Sequence, residues 1–142
     1  MHPEFKKADE LSRLAIGAAI EVHRLKGPGL IESIYEKCLL RELHLQNISA
    51  SQQIIVPIEY KGYVFDEPLK LDVYVGGCLI LELKSVAKIL PIHKAQLLSY
   101  MRLMDAPIGI LINFNEMKLV DGIRRMILPG ADGTDFGTDV GV

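Results

Sequence analysis

The stretch LDVYVGGCLILELKS, residues 71–85, decides which fold this chain adopts. Two runs of strand-forming residues flank a pair of glycines. This pattern predicts a hairpin, because glycines readily adopt the positive φ angles that tight turns require. The only charged side chains in the stretch are Asp72, Glu82 and Lys84. Partly buried charges are costly unless they are paired or hold a metal, so these three residues are candidates for a functional site.

The length of the hairpin loop determines whether Asp72 and Glu82 share a face of the sheet. A two-residue loop would turn Asp72 away from Glu82. A three-residue loop over residues 76–78 would instead pair Val75 with Leu79. It would also place Asp72 directly across from Glu82, with their Cβ atoms roughly 4.5–5.5 Å apart. The sequence allows both loops.

In the second arrangement the two carboxylates need a cation between them. Carboxylates at that distance repel each other, and oxygen ligands favour a hard cation such as Mg²⁺ or Mn²⁺ over zinc. Lys84 projects to the same face as Glu82, because residues two apart in a strand share a face. Its ammonium group could orient or deprotonate a water on the cation and offset charge on a phosphate. The three residues predict a metal-dependent hydrolytic centre, although acid–base pairs on a solvated strand face give the same pattern.

Periodicity along the whole chain predicts an α/β fold with a central mixed sheet flanked by helices. The apolar run PIGILINF, residues 107–114, is typical of a strand covered on both faces. The predicted order is αα-βββ-α-β(β). Its elements are helices over 9–25 and 31–46, strands over 54–60, 63–75 (interrupted at 66–68) and 79–86, a helix over 91–104, and strands over 107–114 and 123–128.

Composition indicates one globular domain. The chain has 142 residues, of which 49% are hydrophobic and 24% charged, and these values match an ordinary single-core protein. We predict a domain over 1–128 and a flexible Gly/Asp-rich tail over 129–142, which has few apolar residues to pack.

The net charge of −2 neither supports nor excludes a phosphate-rich substrate. No apolar run is long enough to span a bilayer and no signal-peptide pattern is present, so we expect a cytoplasmic protein without a membrane partner.

Two further groups of polar residues lie outside the hairpin. The segment HKAQLLSYM places His93, Gln96 and Tyr100 on one face of the helix that follows it. The segment GLIESIY places Glu32 in the first turn of the second helix, where the helix dipole stabilises a carboxylate in any case. Tyr35 of the same segment is expected in the core. Neither the histidines nor the cysteines have metal-ligand spacing.

Taken together, these segments resemble the GxxExxY family of the PD-(D/E)XK nuclease superfamily. The resemblance runs from about Ile20 to Leu128. It includes VHRLKGPGLIESIYEKCL, VPIEYKG, the hairpin, the H-x-x-Q-x-x-x-Y helix and GILINF, in that order. It implies a restriction-endonuclease-like core, in which a central mixed sheet is flanked by helices.

The resemblance also implies a role for each candidate residue. Asp72 and Glu82 correspond to the metal-binding acids, and the Leu83 carbonyl to a further ligand. Glu32 resembles the helix-borne acid of the superfamily's first motif, which reaches the metal directly or through water. Lys84 corresponds to the lysine of the ExK motif. The implied catalytic set is Asp72, Glu82, Lys84, Gln96 and Tyr100, of which the last two resemble the QxxxY element of RecB-like nucleases.

The function so implied is hydrolysis of phosphodiester bonds in nucleic acid, DNA in the first place, with Mg²⁺ or Mn²⁺ as cofactor. A second hypothesis is a non-catalytic module that keeps the fold and binds nucleic acid or protein. The nearly neutral charge favours this module, whereas the three charges of the hairpin count against it. A third hypothesis is an active homo-oligomer or complex, in which a partner supplies the DNA-binding surface.

Overall fold

The computed structural model describes residues 1–66, 69–134 and 139–141. Eight strands and three α-helices are found in these residues. In chain order they are α1 (Phe5–Lys26), α2 (Glu32–Leu45), β1 (Ala50–Ile55), β2 (Ile58–Tyr60), β3 (Tyr63–Phe65), β4 (Lys70–Val75), β5 (Leu79–Lys84), α3 (Pro91–Met104), β6 (Ile108–Asn113), β7 (Ile123–Ile127) and β8 (Asp139–Gly141), with a 3₁₀ turn at Leu119–Gly122.

The central sheet is mixed, with the strand order β1-β4-β5-β6-β7-β8. Strands β5 and β6 are parallel and are connected through α3, whereas the other neighbouring pairs are antiparallel. Strands β2 and β3 form a separate two-stranded sheet. The predicted fold class, an α/β protein with a mixed sheet between helices, is confirmed.

Helices cover both faces of the sheet. On one face, α1 and α2 pack against side chains such as Val73 and Leu81. On the other face, α3 contributes Leu97 to a second apolar cluster with Ile80 and Leu111. Strand β6 is buried along its whole length, as expected for a strand covered on both sides. None of the described helices combines the length and the apolar character needed to cross a membrane.

The β4–β5 hairpin has the three-residue loop. Val75 pairs with Leu79, and the next pairs follow in the same register down to Val73 and Leu81. The two glycines of the loop have φ angles of 59° and 71°, a conformation that glycine adopts without steric cost. Of the two loops that the sequence allows, the structure has the one that brings the two acids of the hairpin to the same level of the sheet.

Two predicted strands are divided in the structure. The strand predicted over 54–60 is interrupted around Pro57, since proline has no N–H group to donate to a ladder. Its first part, β1, begins at Ala50, four residues earlier than predicted. This start was not predicted because the polar residues before Ile54 show no apolar alternation. The strand predicted over 63–75 is divided into β3 and β4, with residues 67 and 68 of the predicted interruption outside the described residues.

The segment predicted as a flexible tail, residues 129–142, is described only in part. Within it, Asp139–Gly141 pair with β7 as the edge strand β8. Ala131 is buried, and its carbonyl accepts a hydrogen bond from the His2 N–H at 2.8 Å. Residues 135–138 and 142 lie outside the described residues, and the division into a domain over 1–128 and a flexible tail stays a prediction.

Candidate active site

Asp72 lies at a point where β4 pairs regularly with neither neighbouring strand. On one side, the β1–β4 ladder omits the position at which Gln53 would pair with Asp72. On the other side, the β4–β5 ladder ends one residue away, at Val73. Two backbone-to-side-chain hydrogen bonds replace the missing ladder pair between β4 and β5. The Asp72 N–H donates to Glu82 Oε1 at 3.0 Å, and the Leu83 N–H donates to Asp72 Oδ2 at 2.8 Å. The carboxyl groups of the two acids therefore link β4 to β5 where the regular ladder stops.

Burial raises the pKa of both acids. Only 5% of Glu82 is exposed, and desolvation together with the charge of Asp72 raises its pKa to about 8. Desolvation also raises the pKa of Asp72, against the opposing effects of the Leu83 N–H and the Lys84 ammonium. Because the charge of Asp72 adds to the rise in the pKa of Glu82, the two carboxyl groups lie close together. Two carboxylates that lie close together repel each other unless a cation lies between them.

The oxygen atoms of this pair suit a hard divalent cation. Among the described residues, no group of three or more His, Cys, Asp or Glu side chains is placed to hold a metal. Zinc would need three or four protein ligands. Mg²⁺, in contrast, commonly takes one or two carboxylates and keeps several waters. The residues present therefore fit Mg²⁺ or Mn²⁺, with water completing the coordination.

Glu32 lies at the rim of the same site. It is exposed at the start of α2, and its Oε1 accepts a hydrogen bond from the Ser85 N–H at 3.3 Å. The charge of Glu32 contributes to the raised pKa of Asp72, and the two residues line the same cleft. This cleft has a volume of about 180 Å³ and is lined by Glu32, Ser33, Glu36, Gln53, Asp72 and Leu83. Direct metal binding by Glu32 stays a prediction.

Lys84 is the last residue of β5 and is half-buried. Its positive charge lowers the pKa of Asp72 and of Glu82, against the larger effect of burial. The ammonium group is therefore close enough to influence both acids. The catalytic role of Lys84 stays a prediction.

Helix α3, on the face of the sheet opposite α1 and α2, brings Tyr100 near Glu82. Gln96 Nε2 donates a hydrogen bond to Tyr100 Oη at 3.1 Å. Burial and the charge of Glu82 raise the pKa of Tyr100, so this hydroxyl lies near the acid pair. His93 has a different role, because its Nδ1 accepts a hydrogen bond from the Leu90 N–H at 3.0 Å and closes the first turn of the helix.

Tyr35 is buried, as expected, and supports the loop that precedes α2. Its ring stacks on that of Phe114, with the centroids 4.4 Å apart. Its hydroxyl donates to the Gly27 carbonyl at 2.5 Å and accepts from the Leu30 N–H at 3.1 Å. The Leu30 carbonyl in turn accepts a hydrogen bond from the Ser85 hydroxyl at 2.6 Å. Tyr35 thereby holds the start of α2 against the end of β5.

Replacement of Tyr35 by phenylalanine is expected to lower the free energy of unfolding by roughly 1–3 kcal/mol, because it leaves the loop carbonyl and N–H without their partner. Urea denaturation measures this loss. The matched control is Tyr63→Phe, which removes a hydroxyl from a side chain that is 66% exposed and should change stability by less than ~0.5 kcal/mol. Equal losses in the two variants would contradict the role given to the Tyr35 hydroxyl.

Three residues that line the cleft, Ser33, Glu36 and Gln53, were not predicted as site residues. Glu36 is 9% exposed, and its Oε1 accepts a hydrogen bond from Gln53 Nε2 at 2.6 Å. Desolvation raises the pKa of Glu36. The position of Glu36 could have been inferred, because it follows Glu32 by one helical turn and shares its face. No sequence pattern marks Gln53, whose partner is on another element.

The fold and the site define a nuclease-like α/β domain, with two acids and a lysine at the end of its central hairpin. The chain belongs to the PD-(D/E)XK nuclease superfamily, whose family model matches residues 9–126. Members of this superfamily are usually nucleases. Its restriction-endonuclease-like core agrees with the mixed sheet and flanking helices seen here. No curated protein and no solved structure matches the chain.

Proposed function

We propose that this protein is a nuclease that hydrolyses phosphodiester bonds of DNA with Mg²⁺ or Mn²⁺ as cofactor. The observation that carries the proposal is the pairing of half-buried Asp72 with buried Glu82, in which each carboxyl group accepts a hydrogen bond from a backbone N–H of the other acid's strand. Such a pair is unfavourable when both groups are charged, and a divalent cation would remove that cost. Membership of the nuclease superfamily supports the same conclusion. The preference for DNA over RNA follows from the resemblance to the GxxExxY family.

In this proposal Asp72 and Glu82 hold the cation. The Leu83 carbonyl and the Glu32 carboxylate supply further oxygen atoms, directly or through water. The cation would lower the pKa of a bound water and stabilise charge on the phosphate. The chain itself holds the two acids in a fixed relative position. The Glu82 carboxyl group accepts a hydrogen bond from the Asp72 N–H of β4, and the Asp72 carboxyl group accepts one from the Leu83 N–H of β5.

The remaining candidates act around this pair. The Lys84 ammonium orients the attacking water and offsets negative charge on the phosphate. Tyr100, held by Gln96, lies beside Glu82 and orients that carboxyl group or the substrate. Gln96 and Tyr100 would thus correspond to the QxxxY element of RecB-like nucleases.

Replacement of Asp72 by asparagine is expected to lower Mn²⁺ affinity at least ~10-fold, because it removes a charged ligand. The amide oxygen can still accept the Leu83 N–H, so the fold should be kept. Isothermal titration calorimetry with Mn²⁺ measures the affinity. The matched control is Asp66→Asn, which removes the same charge from an exposed residue outside the cleft. Unchanged affinity in Asp72→Asn would contradict the proposed ligand.

Cleavage assays test the function directly. Purified protein is incubated with double-stranded DNA, single-stranded DNA and RNA in the presence of Mg²⁺, Mn²⁺ or EDTA. We expect cleavage of DNA with either metal and none in EDTA. Faster cleavage of RNA than of DNA would show that RNA, not DNA, is the preferred substrate. Absence of both cleavage and Mn²⁺ binding would contradict the proposal as a whole.

The nearly neutral charge favours a second candidate, a non-catalytic module that binds nucleic acid or protein. Phosphate contacts normally require clustered Lys and Arg, and a second copy or a partner could also supply them. DNA binding without cleavage in any metal would support the module. Light scattering of the protein with and without DNA would show whether the binding unit is a homo-oligomer.

A further inference from the structure

Gln53 has a backbone conformation that is unusual for a strand. Its φ angle is 52°, although it lies within β1 and carries a side chain. Residues other than glycine rarely adopt this region, and they keep it only where the surrounding structure holds them there. Such outliers cluster at functional sites, and Gln53 lines the cleft beside Asp72.

The side chain of Gln53 is held by α2. Its Nε2 donates to Oε1 of Glu36 at 2.6 Å, and Glu36 is largely buried. Hydrogen bonds to a charged or partly charged carboxyl group are stronger than those between neutral groups. This bond connects the edge strand of the sheet to the helix that also carries Glu32.

The irregularity extends across to Asp72. The β1–β4 ladder omits the Gln53–Asp72 position and is regular on both sides of it. Residues two apart in a regular strand share a face, yet Leu71 packs in the cluster under α3 and Val73 in the cluster under α1 and α2. Strand β4 therefore turns about its axis at Asp72. This turn accompanies the contact of the Asp72 carboxyl group with the Leu83 N–H.

We propose that Glu36 and Gln53 are positioning residues for Asp72. Their hydrogen bond keeps β1 out of regular pairing at this level, so that the Asp72 carboxyl group reaches the Leu83 N–H and the cleft. The importance of this position for metal binding rests on the proposed function. The positioning itself can be measured in the metal-free protein.

Amide hydrogen exchange, followed by NMR without metal, reports the position of Asp72 through the Leu83 N–H. In Glu36→Ala we expect this amide to exchange at least ~10-fold faster, because Asp72 no longer holds it. The amides of β6 should keep their protection, which controls for general loss of stability. Glu36→Gln is the conservative variant. Its side-chain oxygen can still accept from Gln53, so it should restore slow exchange of the Leu83 amide.

Two substitutions of Gln53 separate the effect of backbone shape from that of the side chain. Gln53→Val favours an extended backbone and should draw β1 back into the ladder, whereas Gln53→Gly tolerates the positive φ angle. We expect Mn²⁺ affinity to fall at least ~10-fold in Gln53→Val and less in Gln53→Gly. The matched control is Gln52→Val, an exposed position where the ladder is regular, and it should bind as the wild type does.

Several results would overturn this inference. One is an unchanged Leu83 exchange rate in Glu36→Ala, and another is an equal effect of valine at positions 52 and 53. If Glu36→Gln lost Mn²⁺ affinity as fully as Glu36→Ala, then Glu36 would act through its charge, as a ligand. If the wild type bound no Mn²⁺, the proposed function would fail, and the exchange rates would still decide whether these residues position Asp72.

Discussion

Replacement of Lys84 by alanine is expected to reduce DNA cleavage by at least ~10²–10³-fold, the usual effect of removing one group that stabilises charge in a transition state. Lys84 is half-buried, and its charge acts on both Asp72 and Glu82. The alanine variant loses the cation that would offset charge on the phosphate. Single-turnover cleavage with saturating Mg²⁺ measures the effect on the chemical step.

The same substitution should leave Mn²⁺ binding largely intact, since an ammonium group supplies no ligand to a metal. Calorimetry with the Lys84→Ala protein tests this separation of binding from chemistry. The matched control is Lys61→Ala, which removes the same charge from an exposed position at the β2–β3 turn. If Lys84→Ala cleaved as fast as Lys61→Ala, Lys84 would have no part in catalysis.

Replacement of Glu82 by glutamine is expected to abolish metal-dependent cleavage while it stabilises the metal-free protein at alkaline pH. The first effect follows from the loss of a charged ligand. The second follows from burial, which raises the pKa of Glu82 from 4.5 to about 8. A neutral amide at this position removes the cost of a buried charge next to Asp72.

The direction of the pH effect follows from proton linkage. A carboxyl group whose pKa is higher in the folded protein contributes stability that is fully present below pH 4.5 and is lost as the pH rises to about 8. In EDTA, the free energy of unfolding of the wild type should therefore fall by roughly 2–5 kcal/mol over this range through Glu82. Glu82→Gln should lack this fall. Urea denaturation at pH 5 and pH 8.5 measures the difference between the two proteins.

Added metal should reverse the order of stability. At pH 8.5, Mg²⁺ or Mn²⁺ stabilises whichever protein binds it, so the wild type should gain stability and Glu82→Gln should not. The control is Glu10→Gln, an exposed position of α1, which should keep the pH dependence of the wild type. A fall in stability of the same size in Glu82→Gln would show that the buried charge lies elsewhere.

Elements specified by local signals were predicted well. Helix α3 covers residues 91–104 as predicted, because Pro91 favours a first helical turn. The apolar run of β6 was likewise found within a residue at each end. In contrast, the polar start of β1 and the edge strand β8 were missed, since both are strands through their pairing with a neighbour and carry no apolar alternation of their own.

The candidate site shows the same division. Asp72, Glu82 and Lys84 stand out in the sequence as candidates because charges are conspicuous in an apolar hairpin. Glu36 could have been placed near them through its helical spacing from Glu32, whereas nothing in the sequence marks Gln53, because its hydrogen bond joins β1 to α2. Hydrogen bonds between residues of different helices and strands depend on tertiary packing, which a local sequence pattern does not predict.

The sequence by itself determined the α/β class, the hairpin and the identity of its three charged residues, because apolar periodicity and turn glycines act over a few neighbouring positions. Tertiary structure alone decided that Asp72 and Glu82 meet, since both loop lengths were compatible with the glycine pair. It also decided how far the two carboxyl groups are removed from water. Strand register and desolvation arise only when strands and helices pack together. Register sets whether the two acids lie side by side, and desolvation raises their pKa values.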